Sequence, residues 1–340
     1  MKKSVTIYDI AKIVGTSATT VSRALNGKGN LSEEMRAVII EKAKELNYAP
    51  NPAARYLKTQ KTNQIMLSIP SLQDLFFIDM IKVIQQIATK QEYSLLVHST
   101  QYSEDEELRI LSTIGNNFID GVIMVSLNLT QKHFDAAAET SRSVVLCSTG
   151  TGNVQNLQPQ SDFIGVDSYL GFKMAAKHII EQGHTDIGYL GFYPETHTET
   201  ERLQAFVDIM EEHGLPINRD NVLQGAPDEE FGYRAGKHFA SAARRPTAIC
   251  ATADMMVLGL YRAFEEAGLA IPDDIAVIGM DNTNIDTIMR PHLSSVALNQ
   301  AELGRLAVEV LFRRIEGSRE DIRNILLQPQ LIIRESSVSK

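Results

Sequence analysis

The sequence predicts an all-α helix-turn-helix head joined to an α/β body of two doubly wound, parallel-sheet subdomains. Apolar residues up to Leu46 recur three and four positions apart, the spacing of short amphipathic helices. From Ile65 onward, short continuous apolar runs alternate with helical stretches in two successive sets, which is how parallel sheets covered on both faces read. A chain of 340 residues accommodates two or three domains with ample core.

In the head, Ile7, Ile10, Ala11 and Val14 form one stripe of a first helix, with Thr6 as its cap and Asp9 at the favourable end of its dipole. Gly15 supplies the turn. Ser17 caps a second helix, Ala18 to Leu25, whose inward side is Val21, Ala24 and Leu25. After the loop Asn26-Gly27-Lys28-Gly29-Asn30, Ser32 caps a third helix that buries Met35, Val38, Ile39, Ala43 and Leu46. The glycine turn between the first two helices makes them a helix-turn-helix. The second helix exposes Thr19, Thr20, Ser22 and Arg23. Hydroxyls reach phosphates and base edges, and a guanidinium forks onto guanine, so this face suits a major groove. A small helical subdomain with a polar face fits the same periodicity.

Asn51 before Pro52 is an N-cap followed by a proline in the first helical position, so a further helix starts there. Only about two turns fit before the polar stretch Thr59-Gln60-Lys61-Thr62-Asn63-Gln64, and a helix that short is marginal in water without packing. It reads as a hinge that orders against a partner, with Leu57 exposed unless something covers it.

Strands are expected over residues 65–69, 93–98, 122–125 and 144–147, then in a second set over 163–166, 187–190, 222–224, 248–251 and 275–279. Helices fall between them at 79–90, 104–116, 170–182, 201–213, 232–243 and 255–267. Further strands at 295–298, 325–327 and 331–334, with a helix over 301–315, return to complete both halves, so that several crossings hinge the halves around a cleft. Ligand space in such folds lies at the strand C-termini.

Net charge is −9, but residues 1–61 carry eleven Lys and Arg against five acids, leaving −15 on the rest. A basic head on an acidic body sends only the head toward a polyanion, although a lysine-rich solubilising N-terminus gives the same charges. No run of about 18 uncharged apolar residues spans a membrane. The start, Met1-Lys2-Lys3-Ser4, lacks a signal-peptide core, and two cysteines make no disulfide framework, so a cytoplasmic location is expected. Dinucleotide, Walker, nucleophile-elbow and zinc-protease motifs are absent, and Gly150-Thr151-Gly152 lacks a third glycine. Neither an enzyme nor a cofactor or metal is expected. His133, His197, His213 and His238 are placed on solvated faces, while Cys147 and Cys250 end apolar strands as small hydrophobes, Cys147 near the cleft.

Three strings of the head are similar to the LacI/GalR family of transcriptional regulators: Val5-Thr6-Ile7-Tyr8-Asp9-Ile10-Ala11, Thr20-Val21-Ser22-Arg23-Ala24-Leu25-Asn26, and Leu46-Asn47-Tyr48-Ala49-Pro50-Asn51-Pro52-Ala53-Ala54. Phe163-Ile164-Gly165-Val166-Asp167, Val277-Ile278-Gly279-Met280-Asp281-Asn282 and Arg290-Pro291-His292-Leu293-Ser294-Ser295-Val296 look like the same family's core, so the resemblance covers essentially the whole chain. It implies a body like the periplasmic sugar-binding proteins and a homodimeric repressor on a pseudo-palindromic operator. Ala18, Thr19 and Arg23 would read bases, with backbone contacts from Thr6, Tyr8, Thr20, Ser22 and Asn26. The hinge helix would lie in the minor groove with Leu57 wedged into a base step and Ala54 beside it, the kinking device of an apolar wedge. Ser17, Asn51 and Lys58 complete this DNA-binding set.

The resemblance also implies a cleft for a small polar effector, a sugar, sugar phosphate or similar molecule. Arg202 and Asp281 match the family's ligand-binding arginine and carboxylate. Phe76, Phe77 and Phe231 stand where relatives place aromatic residues, and no tryptophan is present to take that role. Ser148 and Asp254 complete the expected set but mark departures: relatives commonly carry Asp at the first position, and Asn-Asp where this chain has Ala253-Asp254. The usual hexose contacts are therefore open, and a regulator answering to a partner protein, or a solute-binding α/β protein without DNA, are the alternatives. The expected divisions are a DNA-binding domain over 1–49, a hinge over 50–62 and an effector core over 63–340. Within the core, one subdomain takes about 63–166 and 299–327, the other about 167–298 and 328–340.

Overall fold

The computed structural model describes residues 5–25, 27, 29, 31–48, 61–116, 119–150, 157 and 160–338. The expected hinge helix with Asn51, Ala54, Leu57 and Lys58, and Asn26 in the head, lie outside the described residues. The chain divides into two compact units, residues 1–62 and 63–340.

The first unit contains α1 (Ile7–Val14), α2 (Ala18–Leu25) and α3 (Glu33–Glu45). Thr6 and Asp9 form a reciprocal capping box on α1, the Thr6 backbone N–H reaching Asp9 Oδ2 at 2.8 Å, and Gly15 ends the helix in the left-handed region at φ +74°. The Ser17 hydroxyl accepts the Thr20 N–H at 3.1 Å and so caps α2. Ile10, Val21 and Ile39 are wholly buried at the centre, with Ala11, Ala24 and Ala43 around them. Met35 and Val38, expected inside, are exposed, because three short helices close their core with the Ile39–Ala43 side of α3 alone.

The second unit holds two six-stranded sheets. The first has the order β11-β5-β4-β3-β1-β2, built from β1 (Gln64–Ile69), β2 (Ser94–Ser99), β3 (Gly121–Val125), β4 (Ser143–Ser148), β5 (Asp162–Val166) and β11 (Asn324–Leu327), all parallel. The second has the order β12-β10-β9-β8-β6-β7, built from β6 (Ile187–Gly191), β7 (Val222–Gln224), β8 (Ala248–Ala251), β9 (Ala276–Asp281), β10 (Ser294–Ala297) and β12 (Gln330–Ile332). Only β12 in that sheet runs antiparallel, on β10. Central strands such as β3, β5 and β9 are buried at every residue, whereas the edge strand β11 alternates exposed and half-buried. That contrast is why the central strands read as continuous apolar runs.

The helices of this unit are α4 (Phe76–Lys90), α5 (Glu104–Thr113), α6 (Gln131–Glu139), α7 (Ser168–Glu181), α8 (His197–Glu212), α9 (Glu229–Ser241), α10 (Asp254–Glu266) and α11 (Gln300–Ile315). Two expectations change. The strand over 163–166, grouped by its place in the run of strands with the second set although the expected bounds put it in the first subdomain, pairs with β4 and β11 in the first sheet, because the chain crosses to the second sheet only after it. Helix α6 was not among the stretches picked out by periodicity, since its apolar side reduces to Phe134 and a run of alanines. Arg314 of α11 ties the first sheet together by forking onto Asp162 of β5, Nε to Oδ2 at 2.7 Å and Nη2 to Oδ1 at 2.8 Å.

Candidate functional sites: the head face and the cleft

On the head, packing of Val21 and Ala24 inward fixes which side of α2 meets solvent. Thr19 and Arg23 are exposed on that side, and Ser22 and Thr20 are half-buried beside them. Tyr8 on α1 is 73% exposed. The Ser17 and Thr20 hydroxyls lie 2.9 Å apart, so both take part in capping α2 as well as standing on its face.

In the second unit, the strand C-termini of both sheets converge on a small cavity of ≈ 30 Å³, room for about two water molecules. The loops after β1, β2, β3 and β4 supply Asp74, Tyr102, Leu127 and Thr149, and α4 adds Phe76 and Phe77. From the other sheet come Phe192, Pro227 and Ala253, with Asp281 at the end of β9 and Arg202 from α8. The cleft is closed: the Thr198 backbone N–H and hydroxyl both donate across it to the Leu127 carbonyl, at 3.2 and 3.1 Å. Tyr102 and Tyr193 meet edge to face, ring centroids 5.0 Å apart.

Several buried polar atoms at this junction lack partners. Arg202 donates Nη1 to the Thr252 carbonyl at 2.8 Å and lies over the Phe192 ring, but its Nε has no acceptor. The Thr149 hydroxyl has no partner either. Asp281, 6% exposed, makes no side-chain hydrogen bond among the described residues. Burial raises its carboxyl well above the ordinary carboxylate range, and the charges of Asp254 and Asp74 raise it further. Burial likewise raises Asp74, against the lowering effect of the Phe76 N–H and of Arg202. Unsatisfied buried groups cost stability, and these face a cavity.

Of the residues expected here, Phe76, Phe77, Arg202 and Asp281 are brought together. Phe231, Ser148 and Asp254 are not in the lining. Phe231 packs over Gly225 against the core of the second lobe, leaving Pro227 to face the cavity. The Ser148 hydroxyl is taken by the Gly150 N–H at 3.1 Å, and Thr149 occupies the wall instead. Cys147, also expected near the cleft, is wholly buried in the core, and burial pushes its thiol up. His133, expected on a solvated face, is wholly buried: it accepts the Thr130 N–H at Nδ1 and faces Glu107 through Nε2 at 3.0 Å. The polar lining residues missed were Asp74, Tyr102 and Thr149. Their signal was position alone, each lying within a few residues of a strand C-terminus.

Asp254 acts one layer behind. It accepts the Thr283 N–H at 3.0 Å and the Ser295 hydroxyl at 2.9 Å, pinning the loop that follows Asp281. Gly279 has no side chain because a Cβ there would lie 2.3 Å from Asp254 Oδ1. Neither oxygen of the buried Asp286 meets an ordinary donor. Arg334 approaches it at 3.5 Å. Burial raises both Asp254 and Asp286; the Asp254 charge raises Asp286 further, while the bond from Asp286 lowers Asp254, so the pair retains a proton through neutrality. The sign follows: folded Asp286, pushed up to about 9 from 3.8, holds a proton that the unfolded chain has released, so stability falls as the pH rises across that interval. Urea unfolding between pH 6 and pH 9 should show this decline. Asp286→Asn, whose amide supplies the missing donor to Asp254 at any pH, should flatten it, with Tyr261, Asp281 and Arg334 the other ionisable groups facing the pair.

Among the described residues no three His, Cys, Asp or Glu side chains are grouped to hold a metal, and no helix is long and apolar enough to cross a membrane. Residues 6–51 match the family described as bacterial regulatory proteins, lacI family, and residues 176–337 match the periplasmic binding protein-like domain. The chain is 32% identical over 336 residues to the HTH-type transcriptional repressor PurR of Pasteurella multocida, covering 98% of this chain and 99% of that protein. It is 28% identical to the catabolite control protein A of Priestia megaterium, covering 98% and 99%. The lac repressor dimer bound to operator and the anti-inducer ONPF has the same fold, at a TM-score of 0.85 and 22% identity over 99% of this chain and 100% of that one.

Proposed function

Since this chain belongs to the LacI family of bacterial regulatory proteins, we propose that it represses transcription by a dimer's two heads reading a pseudo-palindromic operator, under control of a small polar effector in the cleft. The observation that carries this is the cavity at the strand C-termini, walled by unpartnered buried polar atoms, in a chain that also carries a helix-turn-helix with an exposed polar face. In this reading residues 1–49 form the reading head, with Thr6, Tyr8, Ser17, Ala18, Thr19, Thr20, Ser22, Arg23 and Asn26 on DNA. Residues 50–62 form a hinge, with Asn51, Ala54, Leu57 and Lys58 at the minor groove. Residues 63–340 sense the effector through Phe76, Phe77, Arg202 and Asp281. The protein works in the cytoplasm and leaves its effector chemically unchanged.

A cavity that holds two waters does not hold a sugar, so the lobes open to admit the effector and close around it. Their relative angle then decides how easily the hinges order on DNA. Coupling of about 1–3 kcal/mol changes operator affinity about 5–150-fold. The test is selection of binding sites by the full-length protein from a random duplex library. Pseudo-palindromic sites should emerge, and their affinity should fall by orders of magnitude between roughly 50 and 200 mM salt. A library without enrichment, or an affinity indifferent to salt, overturns the reading.

A further inference from the structure

We propose that the ligand of the cleft carries a protonated amino group held between Asp74 and Asp281, and is a small hydroxylated primary amine of the amino-sugar type. The inference rests on the cleft being an effector site and adds the charge of the effector. Among the described residues, the ionisable carboxyls and cations in the lining are Asp74, Asp281 and Arg202, with no lysine or histidine. One guanidinium therefore faces two carboxyls, one from each lobe. Arg202 is already committed on the side of the second lobe, by its bond to the Thr252 carbonyl and its position over Phe192.

Asp281 is left without a hydrogen-bond donor among the described residues, and Asp74 has only the Phe76 N–H, at 2.9 Å on Oδ1. Behind Asp281 stands Asp254, whose charge deepens the negative field rather than relieves it. Both cleft carboxyls are raised, and in each case the lowering by Arg202 is smaller than the cost of burial. The site is one positive charge short, and a buried carboxylate that gains a cation recovers what burial costs it. Phe76, Phe77, Tyr102 and Phe192 line the same space, and aromatic faces attract cations. The unpartnered Arg202 Nε and Thr149 hydroxyl ask in addition for acceptors and hydroxyls on the ligand. A phosphate in this space would meet two carboxylates.

The test is calorimetric titration of the full-length protein with glucosamine, galactosamine and mannosamine, each beside its parent hexose, its N-acetyl derivative and the hexose 6-phosphate. At least one amine should bind, with its parent hexose and N-acetyl form at least about tenfold weaker and the phosphate weaker still. Asp74→Asn should weaken the amine about 10- to 100-fold, the range of one charge-assisted hydrogen bond, and the parent hexose by much less. Asp281→Asn should act in the same direction, so a folding defect in one variant leaves the other as a check. A phosphate or neutral sugar that binds as tightly as its amine, or an amine indifferent to Asp74→Asn, overturns the inference while leaving the cleft reading intact. If no sugar of the series binds, the inference falls too, and the operator selection still tests the reading beneath it.

Discussion

Arg23→Ala is expected to weaken binding to the selected operator by about 2–6 kcal/mol, and to remove discrimination at one base pair in each half-site. The magnitude follows from geometry: a bidentate arginine–guanine pair contributes about 1–3 kcal/mol, and a dimer makes it twice. The side chain is exposed on α2, while Val21 and Ala24 hold the opposite side of that helix in the head core. Its stem runs past Gly29, where a Cβ would lie 3.2 Å from Arg23 Cδ at φ +88°. The loop glycine therefore leaves the arginine room to turn toward DNA. Fluorescence anisotropy with operators substituted one base pair at a time would read the effect. Arg23→Lys keeps the charge and loses the planar fork, so it should also relax specificity. A uniform loss over all sequences, with a shallower salt dependence, would instead make Arg23 a phosphate contact and remove it from base reading.

Gly259→Ala should destabilise the second unit by about 3 kcal/mol or more, at the upper end of what overpacking costs. Helices α9 and α10 touch backbone to backbone. A Cβ on Gly259 would lie 2.1 Å from the Glu229 carbonyl oxygen and 2.2 Å from the Tyr233 nitrogen, and one on Gly232 would lie 1.9 Å from the Met256 oxygen. Heavy atoms prefer about 3.5–4.0 Å. The helices would have to separate, loosening Phe239, Leu260 and Phe264 in the core between them. The first turn of α10 carries Asp254, which pins the loop after Asp281, and Ala253 before it lines the cavity. Effector response should therefore weaken along with stability. Thermal unfolding should show a loss of roughly 6–12 °C for a domain of this size. In an unhindered helix the same substitution stabilises by about 1 kcal/mol, so a raised Tm would refute the close packing.

Local patterns were decisive where the chain's own hydrogen bonding sets the structure. Helix α2 begins at Ala18 and ends at Leu25, as its cap and apolar spacing require. The central strands announce themselves because burial on both faces leaves no polar alternation. Phe76, Phe77, Arg202 and Asp281 can be named from their strings, and the fold brings them to one cavity. Periodicity does not report which sheet a parallel strand joins, and β5 went to the first sheet through pairings with β4 and β11, the latter more than a hundred residues downstream. It does not report that His133 is enclosed by Glu107 and Thr130, or that Asp254 holds a loop instead of facing the cavity. Sequence alone determined the element types, the helix-turn-helix and the two-lobed plan, since these follow from contacts between near neighbours and from which faces must leave water. Tertiary structure decided the composition and charge of the cleft, because Asp74 and Asp281 lie far apart along the chain and meet only when two separately wound sheets close on each other.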